Sequence, residues 1–384
     1  MLRRRSNRDP EEPQRLPLPD QVTLVLQGGG ALGAYQAGVF EALSATEIPI
    51  DWIAGISIGA INAAVIAGNP PERRVPRLRA LWETLTSGGI FPSMGSPQPN
   101  SASHLMWAAY DATVGVQGFF NPRWIPPFLA WPDTLASISW YDSAPLAKTL
   151  DELVDWDLLN DGPTRLSVGA VNVKTGNFHY FDTVRDRLDA RHILASGALP
   201  PGLPPVEIDG HWWWDGGLVS NTPLAYALEH QQTDMLVFQV DLFPARGEMP
   251  RNIFEAYARE KDIRYSSRTR QVTDTLIAQR KERELVRRVL DKLPPDLLAD
   301  PDVERLSRIS ADYAVNIAHL IYRKQGWESW ASDFEFSRAA MDAHWNAGQE
   351  AVAQTLKRDS VLAENIRDCR TAAFDLTNGK EAEQ

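Results

Sequence analysis

The chain has 384 residues, enough for one large core and an accessory region. Its 43% hydrophobic and 23% charged residues are ordinary for a globular protein. A net charge of −11 argues against a general nucleic-acid-binding protein, because such a protein needs a basic face. The single cysteine, Cys369, excludes an intramolecular disulfide and a cysteine metal cluster, and it is compatible with a reducing compartment.

The two ends of the chain are predicted to be disordered. Residues 1–20 are rich in proline and charge without periodicity, and we expect the same disorder in residues 375–384. The basic start lacks the apolar stretch of a secretory signal, and no segment reaches the roughly 18 apolar residues of a transmembrane helix. We therefore expect a cytoplasmic protein. Peripheral membrane contact stays open, since Arg3, Arg4 and Arg5 could meet anionic lipid, although a solvated tail is the simpler interpretation.

A glycine-rich loop follows the first apolar segment. Residues 22–27 predict a short buried strand, and residues 34–43 predict a helix. The loop between them begins Gly28-Gly29-Gly30. Strand, glycine loop and helix form a unit that binds anions, because bare N–H groups can approach a negatively charged oxygen closely.

The same loop also matches a dinucleotide-binding fingerprint, because Gly28, Gly30 and Gly33 satisfy Gly-x-Gly-x-x-Gly. A dinucleotide fold needs an acidic residue about 20 positions further on, at the end of the second strand. Asp51 instead precedes most of the second predicted strand, which ends in a serine turn. We therefore interpret the loop as an oxyanion hole.

That serine turn reads Gly55-x-Ser57-x-Gly59. Residues 50–54 predict a short apolar strand before it, and the small residues 60–67 predict a helix after it. This is the arrangement of a nucleophile elbow, in which glycines relieve the crowding of a sharp strand-to-helix turn. We interpret Ser57 as a catalytic nucleophile. A helix start with a serine cap and packing glycines is the alternative.

A serine nucleophile needs a base within hydrogen-bond reach. Histidine is the usual base, but none of the seven histidines clearly follows a late strand, where an α/β-hydrolase would carry it; they are His104, His179, His192, His211, His230, His319 and His344. The best candidate is Asp215, at the end of a hairpin predicted over residues 206–214 and followed by Gly216 and Gly217. A turn aspartate without a chemical role is the alternative.

Residues 101–141 are dense in aromatic side chains and interrupted by prolines, which predicts a cap. Most of these side chains are expected to pack on the core. The alternative is an apolar funnel for acyl chains, since apolar ligands need concave, aromatic-lined walls. Different faces of the segment could serve both purposes.

The pattern changes after about residue 246 to long amphipathic helices. Apolar stripes at helical spacing run over residues 285–293, 303–321 and 341–352. We interpret the stripes as packing faces and assign no chemistry to them. The chain is accordingly divided into a catalytic domain over residues 21–245 and a helical region over residues 246–374.

The motifs together resemble the patatin-like phospholipase family. The resemblance rests on the loop Gly28-Gly29-Gly30-Ala31-Leu32-Gly33, the elbow Gly55-Ile56-Ser57-Ile58-Gly59, and Asp215-Gly216-Gly217 followed by Asn221 and Pro223. Each motif is weak alone, but the ordered set over roughly residues 22–241 is highly specific. The resemblance implies a three-layer α/β/α core with a mainly parallel central sheet, followed by an α-helical C-terminal extension.

The resemblance also implies a serine–aspartate dyad without a histidine. Ser57 would attack an ester carbonyl, Asp215 would take its proton, and the N–H groups of residues 28–30 would hold the oxyanion. An acyl-enzyme would form and then be hydrolysed, without metal or cofactor. Asn221 would hold the aspartate loop without reacting.

Four functions remain to be compared. The first is a lipid acyl hydrolase of the phospholipase A type, acting on phospholipid or another apolar ester. The second is a soluble carboxylesterase or thioesterase with the same dyad. The third is a non-catalytic lipid-sensing or scaffold protein, which the intact serine, aspartate and glycine loop argue against. The fourth, a dinucleotide-binding protein, is weakened by the position of Asp51.

Overall fold

The computed structural model describes residues 16–46, 48–88, 101–310, 313–328 and 330–378. The disorder predicted for the two ends concerns mostly residues 1–15 and 379–384, which lie outside the described residues. Residues 376–378 differ from that prediction, because they form a short helical turn whose Leu376 is buried in the core.

The strands in these ranges are β1 Gln21–Leu26, β2 Trp52–Gly55, β3 Asn121–Pro122, β4 Tyr141–Asp142, β5 Arg165–Asn172, β6 Phe178–Asp182, β7 Val206–Ile208, β8 His211–Asp215, β9 Met235–Asp241, β10 Val315–Ile321 and β11 Ala372–Phe374. The helices are α1 Gly33–Ser44, α2 Ile58–Ala67, α3 Pro71–Leu85, α4 Ser101–Val114, α5 Ala144–Leu153, α6 Trp156–Asp161, α7 Ala190–Gly197, α8 Leu224–Glu229, α9 Ile253–Leu290, α10 Pro301–Ser310, α11 Arg338–Leu356 and α12 Ser360–Arg367. Among the described residues, no helix combines the length and the apolar character needed to cross a bilayer.

A mixed sheet of nine strands forms the centre of the described structure. Its order is β11-β10-β9-β1-β2-β5-β8-β7, and β6 also pairs with β5. The run from β11 to β5 is parallel throughout, whereas β6, β7 and β8 pair antiparallel. The two-residue strands β3 and β4 form a separate ribbon in the cap.

Helices cover both faces of the sheet. On β1, Leu24 and Leu26 face a large core shared with α1, α2, α3 and α11, whereas Val25 faces a smaller core shared with α8. A central strand buried on both faces needs apolar residues almost without interruption, which is the pattern that residues 22–26 show. The predicted three-layer α/β/α arrangement with a mainly parallel sheet is confirmed.

The helix predicted across residues 303–321 is wrong in its second half. Helix α10 ends at Ser310, and residues 315–321 form β10, which pairs in parallel with β9. The spacing of Ile317 and Ile321 suits a helix, but β-branched side chains also favour a buried strand. Because β10 and β11 extend the central sheet, the region after residue 246 supplies part of the core as well as helices.

Helix α11 crosses α1 at close range, and this crossing joins the C-terminal region to the core. A Cβ atom added at Gly38 would lie 1.9 Å from the carbonyl oxygen of Trp345. One added at Gly348 would lie 2.2 Å from the carbonyl oxygen of Tyr35. Only glycine fits at either position without separating the two backbones.

Replacing Gly348 with alanine should therefore lower the free energy of unfolding by about 1–3 kcal/mol, because the new methyl group meets backbone that cannot move independently. Urea denaturation measures the change. Gly326→Ala is the matched control, since nothing lies within 4 Å of a Cβ added there. Equal stability of the two variants would contradict this account of the helix crossing.

Candidate active site

Ser57 lies at a sharp turn between β2 and α2. Its φ of 55° and ψ of −124° are rare for a residue with a side chain. The turn needs glycine on both sides: a Cβ added at Gly55 would lie 2.5 Å from the carbonyl group of Gly59, and one added at Gly59 would lie 2.4 Å from the carbonyl oxygen of Leu26. The N–H of Ser57 donates to the hydroxyl of Ser196 at 3.1 Å, which fixes the turn further.

The register of β5 explains how Asp215 reaches Ser57. Strand β2 pairs with β5 as far as Gly55, which lies opposite Val168, and β8 pairs with β5 from Asp215, which lies opposite Ala170. Because β6 occupies the other edge of β5 over the same residues, β2 and β8 share one edge, one after the other. Two residues of strand span about 7 Å, so the turn after β2 and the end of β8 must meet.

The carboxyl group of Asp215 is almost fully buried and accepts the N–H of Gly217 at 2.6 Å. The hydroxyl of Ser57 lies within reach to interact with the same carboxyl group. Burial raises the pKa of Asp215 to about 7, although Gly217 and Ser57 both favour the charged form. A carboxylate with this pKa can accept a proton near neutral pH, as a general base must.

The glycine loop after β1 runs along the same site, and Asn221 holds it. The N–H of Gly28 donates to the backbone oxygen of Asn221 at 3.1 Å, and the side-chain amide of Asn221 donates to the carbonyl oxygen of Gly28 at 2.9 Å. Within the described part of the chain, the N–H groups of Gly29 and Gly30 have no hydrogen-bond partner. Of the three N–H groups assigned to an oxyanion hole, these two are therefore free to bind one.

A buried polar network beneath the loop was not predicted. The side-chain oxygen of Gln27 accepts the N–H groups of Leu242 at 2.6 Å and Phe243 at 3.2 Å. Its backbone oxygen accepts the side-chain amide of Gln36 at 2.6 Å, and Asn62 donates to Gln36 at 3.0 Å. The signal in the sequence was a polar residue within an apolar segment: Gln27 ends an apolar strand, and Asn62 interrupts an apolar helix.

A cavity of about 550 Å³ opens over Ser57 and Asp215. The polar end of the cavity is lined by Ser57, Asp215, the glycine loop, Gly217 and Asn221. The other motif glycines do not line the cavity: Gly33, Gly55, Gly59 and Gly216. The remaining walls are mainly apolar and come from α4, the ends of the β3–β4 ribbon, residues 197–203, the segment after β9, α9 and residues 330–336: Leu105, Ala108, Ala109, Ala112, Phe119, Phe120, Tyr141, Leu199, Pro200, Pro201, Leu203, Phe243, Tyr265, Trp330, Ala331, Phe334 and Phe336. Asp333 also lines the cavity. Such a cavity suits a ligand that is apolar except at one end.

The aromatic segment therefore divides between the two roles considered for it. Phe119, Phe120 and Tyr141 line the cavity, as expected for an acyl funnel. Trp124 and Trp131 neither line the cavity nor pack on the core, because they project into solvent. The expectation that most of the segment packs on the core is wrong for these exposed side chains.

The C-terminal region forms part of the cavity wall, which the sequence analysis missed. The carbonyl oxygen of Asp333 accepts the N–H of Ala31 at 3.0 Å, so residues 330–336 lie directly against the glycine loop. Lys261 of α9 pairs with the carboxylate of Asp333 at 2.5 Å and also donates to the carbonyl oxygen of Trp330 at 3.2 Å. No local pattern in residues 330–336 indicates this long-range contact.

Two buried contacts join helix α4 of the cap to residues 330–336. Nδ1 of His104 lies 3.0 Å from a carboxylate oxygen of Glu335, and both side chains are buried. Asp111 accepts the N–H of Phe336 at 2.7 Å, and burial raises the pKa of Asp111 to about 7. The cap and the C-terminal region thus enclose the cavity together.

A dinucleotide site, a histidine base and a metal site would each need residues other than Ser57 and Asp215. Asp51 accepts the N–H of Val22 at the start of β1, which is the end of the sheet opposite the glycine loop, so it cannot reach a ribose bound there. None of the described residues lining the cavity is a histidine. In the described ranges, no group of three His, Cys, Asp or Glu side chains could hold a metal ion.

Comparison with known proteins gives two family matches. A model described as patatin-like phospholipase matches residues 24–228, and a second, described as patatin phospholipase, matches residues 263–368. The chain is 26% identical over 210 residues to patatin-like phospholipase domain-containing protein 7 of Rattus norvegicus and 27% identical over 229 residues to lysophospholipase NTE1 of Kluyveromyces lactis. These alignments cover 53% and 58% of this chain but only 12% of each relative. Among solved structures, human GIVD cytosolic phospholipase A2 aligns with a TM-score of 0.46 at 12% identity, over 92% of this chain and 60% of that chain.

The raised pKa of Asp215 predicts an acid limb in the activity profile. If Asp215 accepts the proton of Ser57, kcat/KM for a neutral ester should fall about tenfold per pH unit below about pH 7, because protonation removes the base. The measurement is kcat/KM between about pH 5 and about pH 9. A profile that stays flat over this range would contradict a base with the raised pKa of Asp215.

Proposed function

The chain belongs to the patatin-like phospholipase family, and we propose that it is a serine lipid acyl hydrolase that uses Ser57 and Asp215. The matched segment, residues 24–228, is more than half of the chain and includes both residues. One observation carries the proposal: the hydroxyl of Ser57 and the buried carboxyl group of Asp215 lie within interacting distance at the polar end of a mainly apolar cavity.

The reaction proceeds through an acyl-enzyme. The hydroxyl oxygen of Ser57 attacks the ester carbonyl carbon while its proton passes to the carboxylate of Asp215. The carbonyl oxygen becomes an oxyanion and accepts the N–H groups of Gly29 and Gly30. Collapse of this intermediate breaks the bond to the alcohol, which takes the proton from Asp215. Water then attacks the acyl-enzyme, Asp215 takes a proton from it, and the released Ser57 is protonated again.

The cavity supports an apolar acyl group as the part of the substrate that is enclosed. Its aromatic and aliphatic walls offer few polar partners away from Ser57, so a charged acyl group would lose hydration without compensation. A volume of about 550 Å³ lies within the range usual for small-molecule sites. These features favour a lipid acyl hydrolase over an enzyme for small polar esters.

Hydrolysis of p-nitrophenyl esters of increasing acyl length tests the substrate class. We expect kcat/KM to rise with chain length, because each added methylene leaves water for the apolar wall, and we expect Ser57→Ala to abolish turnover. Activity confined to short chains would support a soluble carboxylesterase or thioesterase instead. No Ser57-dependent activity on any chain would contradict the proposal and favour a non-catalytic lipid-sensing protein.

Asp215→Asn separates the role of the base from its role in the fold. The amide oxygen can still accept the N–H of Gly217, but it cannot take a proton, so turnover should fall by a factor of order 10³–10⁴. Because the pKa is raised in the folded state, ionising Asp215 costs stability that builds up from the ordinary aspartate pKa to about pH 7 and is fully present above it, and the asparagine variant escapes this cost. Its melting temperature at about pH 8 should therefore match or exceed that of the unmodified protein. Near-normal turnover would contradict the dyad.

A further inference from the structure

A contiguous apolar loop projects from the surface beside the cavity. The connection from β3 to β4 begins at Arg123, and we call its residues 124–140 the tryptophan loop. The only charged residue of the tryptophan loop is Asp133. Trp124 is 101% exposed, Trp131 85% and Phe128 76%. Single exposed apolar side chains are common, but a cluster of large ones marks a contact surface.

The tryptophan loop keeps its shape through its own polar groups. The hydroxyl of Thr134 donates to the carbonyl oxygen of Trp131 at 2.7 Å, and the hydroxyl of Ser139 donates to the carbonyl oxygen of Leu135 at 2.7 Å. At the base of the loop, Arg123 donates to Ser139 at 3.1 Å. Because these groups are already paired, covering the loop with an apolar medium would not leave them without partners.

The base of the tryptophan loop is continuous with the cavity wall. The N–H of Trp140 donates to the carbonyl oxygen of Pro201 at 3.1 Å, and the N–H of Tyr141 donates to that of Gly202 at 2.9 Å. Pro201, Gly202 and Tyr141 all line the cavity that holds Ser57. Whatever the loop contacts is therefore brought next to the cavity.

We propose that the tryptophan loop inserts into a zwitterionic phospholipid surface and sets the cavity against it. The inference rests on the proposed function, because a lipid acyl hydrolase must meet a substrate that is dispersed in a lipid phase. Tryptophan favours the boundary of a bilayer, where its apolar ring and its polar N–H are both accommodated.

The charge pattern selects the kind of surface. The chain carries a net charge of −11, and Arg123, at the base of the tryptophan loop, is the one basic residue between β3 and β4, so attraction to anionic lipid does not drive the contact. The contact is driven instead by insertion of apolar side chains into the lipid, and binding of this kind is insensitive to salt. A second copy of the chain is the less favoured occupant, because two chains of this charge repel each other.

Sedimentation with phosphatidylcholine vesicles tests the proposal. The full chain carrying Ser57→Ala is used, so that no lipid is consumed during the measurement. Adding Trp124→Ser and Trp131→Ser should lower the partition coefficient at least about tenfold, because two large exposed rings no longer enter the lipid. Trp124→Phe with Trp131→Phe should retain most of the binding. The matched control is Trp212→Ser, on β8 and outside the cavity wall, which should bind as the parent does.

Three results would overturn the inference. The first is an unchanged partition coefficient in the double serine variant. The second is binding that needs anionic vesicles and disappears at high salt. The third is a dimer in light scattering that the double serine variant converts to a monomer, since the loop would then be an interface between two copies.

Activity measurements keep this inference separate from the proposed function. With Ser57 intact, the double serine variant should hydrolyse a short soluble ester at the normal rate but vesicle phospholipid at least about tenfold more slowly. Loop-dependent vesicle binding without any hydrolysis would refute the proposed function and leave the inference standing. Ser57-dependent hydrolysis of soluble esters by a protein that does not bind vesicles would refute the inference alone.

Discussion

The shared edge of β5 is the constraint on which the site depends. Strand β2 must stop at Gly55, because β8 needs the next positions along the same edge to bring Asp215 into place. The backbones approach closely at the point where one pairing ends and the other begins. A Cβ added at Gly216 would lie 2.6 Å from the carbonyl oxygen of Gly169, the residue of β5 between its pairing with β2 and its pairing with β8. Once these strands are in register, Ser57 and the carboxyl group of Asp215 meet without any connecting sequence motif. The glycine loop joins them because β1 neighbours β2, and Asn221 follows Asp215 closely enough to hold that loop.

The parts of the site that the sequence predicted are local in the chain. A serine between two glycines at the end of an apolar strand, and an aspartate before two glycines at the end of a hairpin, each carry their geometry within a few residues. The order of these motifs along the chain made the resemblance to the patatin-like phospholipase family specific. The layers of the fold were implied by this resemblance, and the apolar patterns of strands buried on both faces agree with them.

The parts that were missed depend on contacts between distant residues. Residues 315–321 satisfy both a helical and a strand pattern, and only pairing with β9 decides between them. Gln27 and Asn62 could be seen as polar residues in apolar segments, but their partners could not be assigned without the fold. Residues 330–336 show no periodicity of their own, and their position follows from contacts such as that of Asp333 with Ala31.

The cavity wall built by residues 330–336 has a consequence for how such chains diverge. Ser57 and Asp215, the proposed reacting groups, lie within residues 24–228, whereas this wall is encoded more than a hundred positions downstream of both. Substitutions there can reshape the cavity without changing Ser57 or Asp215. The backbone hydrogen bond from Ala31 to Asp333 survives changes of side chain, whereas the contacts of His104 with Glu335 and of Asp111 with Phe336 depend on side chains. The side chains of this wall that face the cavity can thus change, by evolution or by engineering, while the backbone stays held against the glycine loop.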